Sequence, residues 1–415
     1  MPEDTVVTSR NSRLERFAWF ILGFFAVLAY VDVIEVMVPY VLILDGVVAV
    51  CAFAFIIYYF YSVKPKTRLD VVNVSFLIFS LFTVISIIVK KGDLDRNVVA
   101  VFQIIQMFSS ALAVYVLRDR VEDILLYMGY WVIAISLLIL TLSYKIFQGA
   151  PNNGITINAN PFGMMLAIAV LFCFFIFSCT HSNILRFLVV VSGVYLLAGL
   201  YVTASRTAIL CFLVGVCAFI ALILLSKLKR KSRFFVCLVL IVVFAILFIS
   251  VIAPRIFVSK YSEASTIFTG REIIWKDSIE AAKESMFLGY GGNTEKMMEV
   301  FEEVGTDGYT GYACNHFLHN IYLQILIEYG IVVLLGFVVM IIALCLKSAI
   351  RFFKVEKGYP IALSFSLMTT LIYLLEGITE SNLLYFGGTE QFTFILVLSV
   401  LYCDYLNVIG YKEIK

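Results

Sequence analysis

Long apolar segments recur along almost the whole chain, and they constrain its fold more than any other feature. A helix that crosses a lipid bilayer needs about 20 largely apolar residues, and about twelve segments of roughly this kind can be found in the sequence. Of the 415 residues, 62% are hydrophobic and 14% are charged. This is too little charge for the surface of a soluble enzyme and too much hydrophobicity for a disordered chain. The sequence therefore predicts an all-α polytopic membrane protein.

About twelve transmembrane helices are expected, with one long extracytoplasmic loop that contains short helices. The expected organisation places helices 1–9 within residues 1–253, the long loop at 254–320 and helices 10–12 within residues 321–415. The predicted spans are Phe17–Val36, Val38–Tyr61, Val71–Val89, Val98–Leu117, Ile124–Tyr144, Pro161–Cys179, Phe187–Thr203, Thr207–Leu225, Phe234–Ala253, Ile321–Leu346, Pro360–Glu376 and Gln391–Tyr405.

Lysine and arginine residues occur mainly in alternate loops, which orients the chain because basic loops stay on the cytoplasmic side. The N-terminal segment, the segment at 227–233 and the C-terminus fall on this side. We therefore expect both termini in the cytoplasm, and we interpret the first apolar run as a retained span rather than a cleaved signal peptide. The net charge of +2 argues against a nucleic-acid partner, which a basic face would indicate.

Arg206 is the first candidate functional residue. It lies in the short outer turn Thr203–Thr207, between the seventh and eighth spans, so its guanidinium must be at or just below the membrane surface. An ionisable group at that depth is costly and usually marks function. The alternative is an arginine at a helix end whose charged group extends back to the aqueous interface.

Arg271 is the second candidate. The segment Thr269–Glu272 has the pattern of a capping box. Apolar residues follow at helical spacing as far as about Met286, which indicates a helix lying on the membrane surface. An arginine beside the free N–H groups of a first helical turn forms an anion site, and phosphate is the natural ligand. The alternative is an ion pair of Arg271 with an acid such as Glu272 or Glu263.

Two histidines at the start of the tenth span are candidates for proton transfer. Positions 316, 319, 320 and 323 share one face if this segment is helical. Histidine is the side chain best suited to exchange a proton near neutral pH. Either His316 or His319 could instead anchor a helix end at the interface, and no third ligand accompanies them to suggest a metal site.

Several polar residues are weaker candidates. Asn158 and Asn160 precede Pro161 and fit either contacts to a sugar or headgroup or helix capping. Asp45 and Glu328 fall within apolar spans, where a carboxylate is expected to pair with a cation or to line a cavity. The glycine-rich segment 289–293 lacks the lysine of a P-loop and is interpreted as a turn.

The motifs occur in a definite order: Ala204–Ala208, Gly270–Arg271 followed by Trp275, Leu288–Gly291, His319–Leu323 and Glu328–Ile331. This ordered set resembles the O-antigen ligase and Wzy-type polysaccharide polymerase superfamily. The similarity covers about Asn158 to Gly336, and the number of spans matches over the whole chain. His316 departs from the family's pattern by adding a second histidine near the usual one.

The resemblance implies a cofactor-free and metal-independent inverting glycosyltransferase on the outer face of the bacterial cytoplasmic membrane. The donor would be an oligosaccharide on polyprenyl pyrophosphate and the acceptor another glycan, with room for a chain-length regulator protein as a further partner. Arg206 and Arg271 would bind the donor pyrophosphate, on which negative charge builds as it leaves. His319 would be the general base for the acceptor hydroxyl. His316, Asn320, Asn158, Asn160 and Glu328 are weaker candidates for substrate binding.

Within the superfamily a polymerase is favoured, because the Lys-, Ile- and Phe-rich composition is typical of low-GC Gram-positive genomes, where capsule is made without a lipid A acceptor. An O-antigen ligase or a protein O-oligosaccharyltransferase stays open. A lipid-linked glycan flippase would also explain the composition, but its site is expected near the bilayer midplane within an internal repeat, and the sequence contains no such repeat. A structural partner of a synthase would tolerate single changes at all these residues.

Overall fold

The computed structural model is almost entirely helical. It describes residues 3–31, 38–63, 69–143, 155–156, 159–229, 232–233, 235–236, 239, 271–304, 318–355, 359–381 and 389–406. In these ranges the long helices are α1 Glu3–Val31, α2 Val38–Val63, α3 Val71–Lys90, α4 Leu94–Val116, α5 Val121–Leu142, α6 Ala159–Cys179, α7 Asn183–Thr203, α8 Arg206–Ser226, α9 Arg271–Ala282, α10 Thr294–Val304, α11 Ile321–Tyr329, α12 Ile331–Lys354, α13 Ile361–Glu376 and α14 Thr389–Tyr405.

The predicted polytopic membrane fold is confirmed. Eight of the described helices, α2 to α8 and α12, are long and apolar enough to cross a membrane, and α13 and α14 are shorter apolar helices. The ninth predicted span, Phe234–Ala253, lies almost entirely outside the described residues. Helix α1 begins at Glu3, well before the predicted start at Phe17, because hydropathy detects only the apolar part of a helix and not its polar extension.

Helix α6 lies at the centre of the bundle. Nearly all of its side chains from Phe162 to Ile176 are buried, as are most of those of α13 and α14, whereas at most half of the residues are buried in the apolar part of each of the other seven candidate spans. Helices α5, α7 and α8 pack around it, α3 packs along α12, and α13 lies between α8 and α14. The loops that leave the ends of these helices on one side form the region described below.

The tenth predicted span, Ile321–Leu346, is wrong as a single helix. The helix is interrupted at Gly330, where φ is +87°. Of the two helices that result, only α12 is long enough to cross a membrane. A side chain at Gly330 would overlap the carbonyl oxygen of Phe287, so the break depends on glycine. The sequence concealed this break because the segments on both sides of it are largely apolar.

The glycine-rich segment is a turn, as predicted, and it fills the break. The Tyr290 amide donates to the Ile327 carbonyl at 2.8 Å, and the Gly291 amide donates to the Glu328 carbonyl at 2.6 Å. Gly291 has a φ of +64°, which a residue with a side chain rarely adopts. These bonds satisfy carbonyl groups at the end of α11 that the next helical turn would otherwise have used.

Helices α9, α10 and α11 share a small apolar core of their own. Ile274, Ala281, Phe301, Leu318 and Ile327 are among its buried members. The core joins α9 and α10, which lie in the predicted loop at 254–320, to α11. The sequence analysis had placed α11 with the membrane helices at 321–415. The Tyr290 phenol in this core donates to the Ala281 carbonyl at 2.8 Å, and burial together with nearby acids raises its pKa to about 12. The hydroxyl therefore stays protonated as a donor.

The turn between α3 and α4 ties this smaller core to the bundle. The Asp93 amide donates to the Gly292 carbonyl at 3.2 Å, and the Asp93 carboxylate accepts from the Thr294 amide at 3.1 Å. The Ser86 hydroxyl donates to the Leu288 carbonyl. The predicted extramembrane region is therefore bonded directly to a membrane hairpin.

Candidate functional site

Three polar side chains from different parts of the chain converge on Glu380, which follows α13. The Arg271 guanidinium contacts Glu380 Oε1 at 3.0 Å, and the Asn160 amide donates to the same oxygen at 2.8 Å. The His319 Nδ1 atom lies 3.2 Å from the other oxygen, Oε2. Glu380 itself is 4% exposed, so one buried carboxylate organises the cluster.

Arg271 is the first residue of α9, in the first turn as expected from the sequence. Thr269, the predicted cap, lies outside the described residues. The expected alternative of an ion pair is realised with Glu380, an acid that the sequence analysis did not name, and Glu263 lies outside the described residues. Arg271 also donates to the Thr379 carbonyl, so these two bonds occupy two of its five N–H donors. An anion that enters the site can therefore still find donors on this guanidinium.

His319 lies in a turn, and the expected shared helical face of positions 316, 319, 320 and 323 is wrong. Helix α11 begins only at Ile321, with Asn320 as its N-cap in an extended conformation. The Asn320 side chain accepts from the amides of Tyr322 and Leu323, both at 3.0 Å. An asparagine that can satisfy two free amides starts a helix, and this local preference outweighed the apolar spacing. His316 lies outside the described residues.

The start of α11 is attached to the turn that carries Glu380. The Ile321 amide donates to the Gly377 carbonyl at 2.9 Å, and the Asn320 amide donates to the Ser381 hydroxyl at 3.1 Å. The Asn320 side-chain amide also donates to the Ile378 carbonyl at 3.1 Å. Since capping and anchoring engage this side chain, its predicted role in substrate binding stays a prediction.

Arg206 begins α8 beside the same turn. Ala204, at a φ of +54°, ends α7, and the Ser205 hydroxyl caps α8 by accepting from the Ala208 amide. The neighbouring Thr207 hydroxyl lies 3.3 Å from that of Thr379, the residue before Glu380. The structure therefore brings the Arg206 turn to the cluster.

Helix α6 completes the cluster through Asn160. Its first turn lies against the turn between α7 and α8, where a side chain at Gly163 would come within 2.9 Å of the Ser205 side chain. This close approach fixes Asn160 near both Arg206 and Glu380. Asn158, the other asparagine predicted to contact substrate, lies outside the described residues.

The acidic candidates Glu328 and Asp45 do not contact Glu380 in any of the described hydrogen bonds or ion pairs. Glu328 forms a 2.9 Å ion pair with Arg96 of α4, which realises the expected pairing with a cation. Asp45 lines a cavity of about 290 Å³ between α2 and α4, together with Asn97, which realises the other expected alternative.

Sequence reasoning missed Glu380, the residue at the centre of the cluster. It lies beyond the motifs that carried the resemblance, in the short loop after α13, four residues from the buried Glu376. Two acids at the end of an apolar span indicate a nearby cation, because unpaired carboxylates are unfavourable in such a place. Within the described residues, no group of three or more His, Cys, Asp and Glu side chains could hold a metal ion.

The fold and this cluster define a polytopic membrane protein with histidine, arginine and carboxylate groups gathered at one end of its helical bundle. Residues 191–338 match the family model described as O-antigen ligase (Wzy_C). The match contains Arg206, Arg271 and His319 and confirms the resemblance to the O-antigen ligase and Wzy superfamily over this part of the chain. Members of this family are glycosyltransferase-like enzymes. No curated protein matches the chain.

Proposed function

We propose that this protein polymerises oligosaccharide repeat units carried on polyprenyl pyrophosphate into a surface polysaccharide, on the outer face of the cytoplasmic membrane. The observation that carries the proposal is the convergence of Arg271, His319 and Asn160 on Glu380 beside the Arg206 turn. A pyrophosphate attached to a lipid reaches a protein at the membrane surface, and the cluster lies at the ends of membrane helices. Both termini are then cytoplasmic.

The cations serve the leaving group. As the bond between the anomeric carbon and the pyrophosphate oxygen breaks, the electron pair stays on that oxygen and negative charge builds there. Guanidinium groups placed in advance stabilise this charge without reorganising. Arg271 and Arg206 occupy the first turns of two helices, where free backbone N–H groups add to the attraction for an anion.

His319 serves the acceptor. With a hydrogen on Nδ1 donated to Glu380, the lone pair of Nε2 is available to accept the proton of the attacking hydroxyl. The carboxylate then stabilises the imidazolium, as in catalytic triads. A new glycosidic bond forms as the pyrophosphate leaves, and attack from the opposite side inverts the anomeric carbon. No resident metal or cofactor is required.

The identity of the acceptor separates the members of the superfamily. The proposal of polymerisation depends on the composition of the chain, whereas the description of the matching family favours ligation as the second candidate. Both reactions use the same donor and the same displacement. The test must therefore distinguish acceptors.

The decisive experiment supplies the purified full-length protein in nanodiscs with a single lipid-linked repeat unit. A ladder of lipid-linked products supports polymerisation. Transfer only to an added lipid A core or to a protein acceptor replaces polymerisation by ligation or by O-oligosaccharyl transfer. Movement of the donor across a vesicle membrane without transfer overturns the proposal in favour of a flippase.

A further inference from the structure

A buried chain of hydrogen bonds connects the membrane hairpin α3–α4 to the residue before His319. Arg96 Nη1 lies 2.9 Å from Glu328 Oε1, and the Gln324 side-chain amide donates to the same oxygen. The Gln324 Oε1 atom in turn accepts from the Leu318 backbone amide at 3.2 Å. We call these three side chains, Arg96, Glu328 and Gln324, the Gln324 network.

The network is built to be rigid. Gln324 and Glu328 are one helical turn apart on α11, so their side chains meet on the same face. They are 4% and 2% exposed, and Arg96 balances the carboxylate of the network. Burial raises the pKa of Glu328, and the nearby Arg96 opposes that shift. A buried ion pair with added hydrogen bonds is costly to break from one side, because the remaining charge loses its partner.

His319 needs such support because its backbone is strained. Its φ of +50° lies in the left-handed region, which is unfavourable for a residue with a side chain. Bonds on both sides keep it there: Leu318 is held through its amide by Gln324 and through its carbonyl by the Trp275 indole at 3.1 Å. On the other side, the Asn320 amide is held by Ser381. Of these supports, the one through Gln324 extends back to the α3–α4 hairpin.

We propose that Gln324 and Glu328, anchored by Arg96, are positioning residues that set the placement of the His319 imidazole relative to the acceptor hydroxyl. This inference rests on the proposed function, because it assigns His319 the proton-accepting step. The proposal assigns the three side chains an action through the backbone at Leu318 rather than on the reacting atoms. The hydrogen bond they maintain holds the peptide unit that leads into His319, and a displacement of about 1 Å in such a group can lower a rate about a hundredfold.

Gln324 donates to Glu328 and accepts from Leu318, so exchanging the amide and the carboxylate between positions 324 and 328 tests the role of the network. Gln324→Glu places two carboxylates against each other and removes the donor between them. Adding Glu328→Gln reverses the roles of the two positions. The carboxylate introduced at position 324 accepts from the Leu318 amide and from the side-chain amide introduced at position 328, whose oxygen accepts from Arg96. The double variant therefore restores the three hydrogen bonds of the network and its total charge, with the carboxylate one helical turn further from Arg96.

The variants are compared as full-length protein in nanodiscs with the lipid-linked repeat unit as donor. We expect Gln324→Glu to lower kcat about 10- to 100-fold while KM for the donor stays within about twofold. The double variant should recover kcat to within about threefold of the wild type. The matched control is Gln103→Glu, which places the same charge in another buried amide pair, 2.9 Å from Gln391 and outside the cluster. It should lower thermal stability without changing kcat of the folded protein.

Hydrogen exchange measures the same network without any reaction. The peptide that contains Leu318 should exchange faster in Gln324→Glu and return to the wild-type rate in the double variant. If the wild type transfers no glycan, the proposed function fails while this arm still tests whether the network holds the peptide. An unchanged kcat and exchange rate in Gln324→Glu, a change in KM alone, or a double variant as slow as the single one would overturn the inference.

Discussion

The two ends of the helical bundle use arginine in opposite ways. At the end opposite the candidate site, Arg233 is fully buried, and its guanidinium donates to five backbone carbonyls where α8 and α12 finish: Leu225, Ser226, Leu228, Phe352 and Val355. At the site end, Arg271 is 17% exposed and shares one carboxylate with a histidine and an asparagine. The N–H donors of Arg233 are bonded to backbone carbonyls of the fold, whereas Arg271 retains donors for a ligand.

This contrast shows what separates a structural cation from a candidate functional one. Helix C-termini carry partial negative charge and free carbonyls, so Arg233 stabilises two of them at once. Arg271 and Arg206 lie instead at helix N-termini, where a cation is locally unfavourable. A placement that costs stability indicates a role other than folding. The predictions below test this distinction, from the largest expected effect to the smallest.

His319→Ala should have the largest effect on glycan transfer. Losing a general base lowers kcat by about 10²- to 10⁴-fold, and the amount of protein in the membrane should stay unchanged. The matched control is His181→Ala, an exposed histidine between α6 and α7, at the other end of the bundle. A His319 variant that keeps about a tenth of the wild-type kcat would contradict the assignment of the base.

Arg271→Ala should lower kcat by about 10²- to 10³-fold, because developing charge on the pyrophosphate loses a fixed donor. Steady-state kinetics on the lipid-linked donor measure this loss. Arg351→Lys is the control, since Arg351 forms an equally buried ion pair with Asp404 at the opposite end. If the control loses as much activity as Arg271→Ala, the two ends do not differ in the way described.

Glu380→Gln should lower kcat by about 10- to 100-fold. The amide keeps the size of the side chain but no longer stabilises a protonated His319 or neutralises Arg271. Thermal stability should fall as well, because Arg271 loses its charged partner, so the predicted readout is a lower kcat per folded molecule of the purified protein. A full loss of folded protein would instead assign Glu380 a purely structural role.

Arg233→Ala should lower the stability of the protein and leave the kcat of the folded protein nearly unchanged. Removal of the arginine leaves several buried carbonyls without donors and should cost about 2–4 kcal/mol of stability. The folded fraction should keep a kcat within about threefold of the wild type. Thermal unfolding combined with activity per folded molecule tests both statements, and a large loss of kcat at full stability would refute the comparison.

Treatment with EDTA should have the smallest effect of all. The proposed displacement uses arginines and a histidine, so transfer should continue at the wild-type rate after chelation. The measurement is the product ladder with and without the chelator. Activity that is lost and then restored by a divalent metal would require a different mechanism at this site.

Much of the site could be predicted from the sequence because its residues stand out chemically. In a chain with 14% charged residues, an arginine in the turn at 203–207 or a histidine beside an apolar span has few ordinary explanations. Arg206, Arg271 and His319 were singled out in this way and Asn160 by its place before Pro161, and their roles in the reaction stay predictions. Glu380 was missed because the acids at the end of this apolar span do not show in the sequence which cation they pair with. Its importance appears only when residues separated by 61, 109 and 220 positions meet.

By itself, the sequence determined the membrane class and most of the spans, since hydropathy over about 20 residues depends on no other part of the chain. Only the tertiary structure decided where the tenth apolar segment breaks, because Gly330 bends where the loop at 286–292 supplies competing hydrogen bonds. It also decided that His319 lies in a strained turn and that Glu380 is the shared partner. These outcomes follow from contacts between distant segments, which no local pattern records.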